Sequence, residues 1–85
     1  MKISIALFGP LKECFKGDII LEPKSAKISE IRNELIILIS KLDDADRIKS
    51  IVSKSVFADE NKILRENEDI AGDSKLVLLP PVCGG

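Results

Sequence analysis

The chain opens on an alternation. In residues 2–8, Ile3, Ile5 and Leu7 fall on one side and Ser4, Ala6 and Phe8 on the other, the period of two shown by a strand with one buried face. Gly9-Pro10 stops that strand. Residues 11–15 suit a helical turn in the connection, with Leu11, Cys14 and Phe15 on one side, and Lys16-Gly17-Asp18 reads as a turn. A second strand, "DIILE" at residues 18–22, is closed by Pro23, so the first two strands predict a hairpin. From 25 to 42 the period lengthens: Ile28, Ile31, Leu35, Leu38, Ile39 and Leu42 share a stripe, while Lys27, Glu30, Arg32, Asn33, Glu34 and Lys41 face water. This predicts an amphipathic helix with Ser25 or Ser29 as N-cap, although neither is followed at the third position by the Glu or Gln of a capping box. Residues 43–50 are polar, with room for a short helical turn. Residues 51–58 carry β-branched side chains in irregular alternation, and a strand is predicted over 55–58. "DEN" at 59–61 supplies a turn, 62–64 a short strand, and "RENEDIAGDS" a loop with Gly72-Asp73 turning into the last strand. That strand, "KLVLL" at 75–79, is nearly continuous in apolar residues, as expected of a central strand covered on at least one face.

Two strands, a helix and three strands predict an α+β fold in which a mixed sheet carries one main helix across one face, the arrangement called the ubiquitin-like β-grasp. Residues 1–79 form the body and 80–85 an extended tail. There is no internal repeat and no linker that would divide the chain. At 85 residues one core is possible but not two, and with aromatics at 4% that core must be built of Ile, Leu and Val.

Charge and composition narrow the function. Thirteen basic and fourteen acidic residues leave a net charge of −1 without a run of either sign, so the clustered basic excess of a nucleic-acid surface is absent. The longest wholly apolar run, 35–39, falls far short of the about 20 residues of a membrane span. Ser4 and Gly9-Pro10 interrupt the N-terminal apolar stretch before a signal sequence could form, which predicts a cytoplasmic protein with an unprocessed start. Two cysteines and no histidine argue against a zinc site and remove the commonest general base. No bound metal or cofactor is expected, and the acid–base groups of any reaction are expected on another protein.

The ending, "LLPPVCGG", is the most informative stretch. Pro80 and Pro81 cannot donate to a sheet and fix φ near −65°, so the last strand must stop there and the chain leave in an extended direction. Val82, Cys83, Gly84 and Gly85 follow. A glycine pair without side chains can thread a narrow channel and leaves the terminal carboxylate of Gly85 open to another enzyme's active site. The plain alternative is a frayed end. Because glycine makes up roughly 7% of residues, a chance terminal pair has a probability of about half a per cent, and the launching prolines favour the functional reading.

Here the residues carry a resemblance. "GDSKLV" followed by "LLPPVCGG" resembles the ending of the small subunit of molybdopterin synthase, and "VFADEN" at 56–61 and the helix pattern around "ISEIRNEL" are similar to that family as well. The departures are Cys83, where a small or hydroxyl residue is more familiar, and the polar pair Ser74-Lys75. The resemblance implies that an ATP-dependent adenylating enzyme of the ubiquitin-activating type turns the Gly85 carboxylate into an acyl-adenylate. Sulfur from a persulfide donor then displaces AMP to leave a thiocarboxylate. Pro80, Pro81, Val82, Cys83 and Gly84 would thread the loaded end into the large synthase subunit, which holds cyclic pyranopterin monophosphate and supplies the catalytic groups. On this implication the chain is a carried reagent in a heterotetramer and not an enzyme by itself. ATP is used by the activating enzyme and nothing is bound here.

Other residues have two readings. The Cys83 thiol either assists transfer or fills a slot where Thr, Ser or Ala would serve, and the second is favoured. Cys14 reads as core filler. Asp59 and Glu60 form a carboxylate pair, but a turn explains them better than catalysis does. Phe8, Phe57, Leu76 and Leu78 form either a partner-facing apolar patch beside the tail or part of the core. Three other functions compete with the leading one. They are the sulfur carrier of thiamine synthesis, against which the length and Pro80-Pro81 argue; a protein modifier that transfers Gly85 to a lysine; and a binding module whose tail is idle.

Overall fold

The computed structural model describes residues 1–15 and 17–81, without the side chains of Pro10 and Cys14. The opening alternation forms strand β1, Ile3–Leu7, with Ile3, Ile5 and Leu7 buried. A 3-10 helix, Gly9–Cys14, occupies the connection and sinks Leu11 completely into the core. The expected cluster of Leu11 with Phe15 is present, whereas the predicted role of the Cys14 side chain lies outside the described residues. Strand β2, Ile19–Leu21, returns antiparallel to β1, with Ile5 opposite Ile19 and Ile3 opposite Leu21.

Helix α1, Ile28–Ile39, buries Ile28, Ile31, Leu35 and Ile39, the core of the expected stripe, while Leu38 and Leu42 pack partly buried around it. It is shorter than the period suggests, and neither serine caps it. The amides of Ile28 and Ser29 donate to the carbonyls of Glu68 and Glu66, so the polar loop 65–70 satisfies the donors that a helix start leaves free. Ser40 ends the helix, its hydroxyl donating to the Ile36 carbonyl.

A second helix, α2, Ala45–Lys54, corrects the expectation of one helix and a short turn. It buries only Ile48 and Val52, four residues apart, and Ile51 packs partly against the core. Its C-terminal carbonyls are claimed by Arg32 of α1, whose Nη1 donates to the carbonyls of Val52 at 2.5 Å and Ser55 at 2.7 Å. The same guanidinium binds Glu66 and lies 5.1 Å from the Phe57 ring centre, a cation–π distance. One side chain thus ties both helices to the sheet and to the capping loop.

Strands β3, Val56–Ala58, β4, Ile63–Leu64, and β5, Ser74–Leu79, complete a five-stranded sheet in the order β2-β1-β5-β3-β4. β1 and β5 run parallel at its centre, with Leu7 opposite Leu78, and β3 runs antiparallel to β5. One face of the sheet meets both helices and encloses a single core of Ile, Leu and Val around Phe57. Among the described residues no helix is long and apolar enough to cross a membrane.

Candidate functional site

The last strand ends at Leu79, and Pro80, half-buried, lies just beyond it with Pro81 exposed. Val82, Cys83, Gly84 and Gly85, expected to carry the chemistry, lie outside the described residues. What the structure places is the root of the tail and the surface around it.

Of the four residues expected either in an apolar patch or in the core, three belong to the core. Phe57, Leu76 and Leu78 point at the helices and are at most 2% exposed. The reason is parity: successive side chains of a strand point to opposite faces, so Leu76 and Leu78 share the inward direction of Ile5 and Leu7, with which they pair. Phe8, one residue beyond Leu7 in extended backbone, is 47% exposed on the opposite face.

That opposite face is uncovered and apolar. Leu79 lies across from Val56, and Phe8 lies at the same end of the sheet because Leu7 pairs with Leu78. All three are exposed and together form a collar around the point where the tail departs. The next row holds Ala6, Val77, Ala58 and Ile63, the last 61% exposed. Farther from the tail the face turns polar, with Ser4 beside Lys75 and the exposed Ile20 at the β2 edge. Five of the seven exposed large hydrophobic residues among those described, Phe8, Ile20, Val56, Ile63 and Leu79, stand on this face. The alternation of β1 pointed to Phe8. Val56 and Leu79 gave no such signal, because a run of apolar residues does not reveal which of them face outward.

Among the described residues, the charged groups of the β3–β4 turn and the loop after it serve structure. The Asp59 carboxylate accepts the backbone amides of Asn61 and Lys62, both at 2.8 Å, which hold its pKa below the ordinary carboxylate value. It shapes the turn between β3 and β4, as the sequence suggested. Lys62 donates to Glu68 at 2.6 Å, which lowers the Glu68 pKa and raises that of Lys62. Among the described residues no three His, Cys, Asp or Glu side chains come together to hold a metal ion.

No protein-family model matches the chain, and no curated protein matches its sequence. Solved structures do match. The chain superposes over its whole length on all of SAMP1 from Haloferax volcanii, at 20% identity and a TM-score of 0.68. It also matches a ubiquitin from Caldiarchaeum subterraneum, covering 98% of that chain at 20% identity and a TM-score of 0.59. The fold is a ubiquitin-like β-grasp. A chain from the complex of subunits 1 and 2 of the molybdopterin-converting factor of Helicobacter pylori has the same fold, with full coverage of both chains, 21% identity and a TM-score of 0.62. Both helices contribute to the core on one side of the sheet, and among the described residues Phe8, Ile20, Val56, Ile63 and Leu79 stay exposed on the other.

Proposed function

We propose that this β-grasp protein is the sulfur-carrying small subunit of a molybdopterin synthase, with the Gly85 carboxylate as the group that is loaded. An activating enzyme of the ubiquitin-activating type transfers AMP from ATP to that carboxylate and releases pyrophosphate. A persulfide sulfur then displaces AMP, and a thiol reductant releases the thiocarboxylate. The large synthase subunit docks on the open face of the sheet, takes the tail into its active site and supplies the bases that move sulfur onto cyclic pyranopterin monophosphate. The chain itself holds no cofactor in this scheme. The observation that carries the reading is the apolar collar of Phe8, Val56 and Leu79 around the root of a tail that ends Pro-Pro-Val-Cys-Gly-Gly. An exposed patch of this kind marks a protein interface, and here it lies where a partner receiving the tail must sit. The likeness to a chain from a two-subunit molybdopterin-converting factor supports the choice of partner.

A second reading, in which the activated Gly85 is passed to a lysine amine of another protein, is favoured by the likeness to an archaeal ubiquitin. One experiment separates the two. The chain is incubated with ATP, an activating enzyme and a persulfide donor, and its intact mass is measured. The expected result is exchange of one oxygen for sulfur, abolished by deletion of Gly85, followed by formation of molybdopterin when the large subunit and the pyranopterin are added. A ladder of larger conjugates supports the modifier instead, and an unchanged mass where a known carrier is loaded overturns both.

A further inference from the structure

The strand that leads to the tail ends beside a loop of unusual geometry. Gly9 holds φ at +63°, in the left-handed region that residues with a side chain seldom enter. It opens the 3-10 helix that follows β1, and because β1 and β5 run parallel with Leu7 opposite Leu78, residues 8 and 9 lie alongside 79 and 80. A Cβ placed on Gly9 would stand 3.3 Å from Cγ of Pro80, inside the ~3.5–4.0 Å at which carbon atoms rest. Both partners are anchored by their neighbours in the chain. Leu11, two residues after Gly9, is fully buried, and Pro80 follows a strand paired on both sides.

We infer that Gly9 is a positioning residue for tail delivery. Its bare, left-handed backbone is the seat on which the Pro80 ring rests, and the seat sets the direction in which the chain leaves β5 at Pro80-Pro81. This rests on the proposed role of Gly85 as the loaded group. A proline has one backbone torsion already fixed, so holding its ring against a rigid neighbour removes most of the remaining freedom at the tail's first joint. A Cβ on Gly9 would shift the Pro80 ring by a few tenths of an ångström and so change the direction in which the chain leaves the strand. A misplacement of about 1 Å at a reacting group can cost on the order of a hundredfold in rate.

The test is a cycle of four full-length chains: wild type, Gly9→Asn, Pro80→Ala and the double variant. Asparagine tolerates the left-handed conformation better than other residues with a Cβ, so it adds the obstructing carbon with little backbone strain. Pro80→Ala removes the carbon that is obstructed. Pyrophosphate release with the activating enzyme gives kcat/KM, thermal unfolding gives Tm, and a nuclear Overhauser contact between Gly9 Hα and the Pro80 ring reports the seat without any chemistry. The expected result is a contact in the wild type and a loss of about tenfold or more in kcat/KM for Gly9→Asn, with little further loss when the same change is made on Pro80→Ala. Equal losses on both backgrounds, no loss, or no contact in the wild type overturns the inference. If Gly9→Asn does not fold, Pro80→Ala alone decides, since an unchanged kcat/KM there has the same meaning. A wild type that shows the contact but is never adenylated overturns the carrier reading and the delivery role with it, an outcome distinct from an adenylated wild type whose two positions are uncoupled.

Discussion

The two faces of the central sheet are built from the same kinds of residue and have opposite fates. On the inner face Ile5, Leu7, Phe57, Leu76 and Leu78 close against two helices; on the outer face Phe8, Val56, Ile63 and Leu79 stand open. The hydrophobic effect acts on both alike, at roughly 25 cal/mol for each Å² removed from water. What differs is when the area is removed: the inner face loses its contact with water on folding, and on the proposed function the outer face keeps it for association. Hydrophobicity alone therefore does not say whether a residue serves stability or recognition. Position relative to the helices does.

The strongest way to break this contrast is at the centre of the inner face. Phe57→Ala removes the largest fully buried side chain and is expected to cost about 3–5 kcal/mol, read by denaturant unfolding. A loss of stability below about 1 kcal/mol would mean that the inner face is not the sole core. The outer face should behave in reverse. Phe8→Ser combined with Leu79→Ser is expected to change stability by no more than about 0.5 kcal/mol for each site, as exposed substitutions do. The same pair should weaken binding to the large subunit by at least about thirtyfold, the effect of losing a residue worth about 2 kcal/mol at an interface, as measured by calorimetric titration. Full affinity after that change would move the docking surface elsewhere.

The smallest effect belongs to the turn where the two faces meet. Asp59 aligns β3 with β4, which sets Phe57 opposite Leu64 inside and Ala58 opposite Ile63 outside. Its carboxylate is favoured in the folded state by the amides of Asn61 and Lys62, so its folded pKa lies below the unfolded one. The stabilisation is therefore complete above the unfolded value and is lost as pH falls through the folded value. Asp59→Ala should be slightly less stable than the wild type at neutral pH, and the two unfolding curves should converge as the pH is lowered below the ordinary carboxylate range. A gap that persists in acid would show that the turn depends on the side chain's shape and not its charge.

Much of this architecture is legible in the chain because it rests on local periodicity. Ile3, Ile5 and Leu7 announce β1, and the stripe from Ile28 to Ile39 announces α1. The helix α2 is hidden because only Ile48 and Val52 are fully buried, while the neighbouring Ile51 and Val52 imitate a strand. The cap of α1 is hidden for another reason: its acceptors are the carbonyls of Glu66 and Glu68, and a carbonyl leaves no mark on a sequence. The same holds for the outer collar. "KLVLL" says that a strand is central, but which leucine faces out follows from its register with β1, a fact of pairing across more than 70 residues.

That pairing also dictates the order in which the molecule can come into being. Strand β1 finds its parallel neighbour only when residues 74–79 have been made, so Ile3, Ile5 and Leu7 must wait, unsheltered on one side, until all the intervening residues are synthesised. Local hairpins and helices can form early, but the centre of the sheet closes last, and a closure between such distant segments is slow. A chain interrupted anywhere before β5 is thus left without the middle of its sheet.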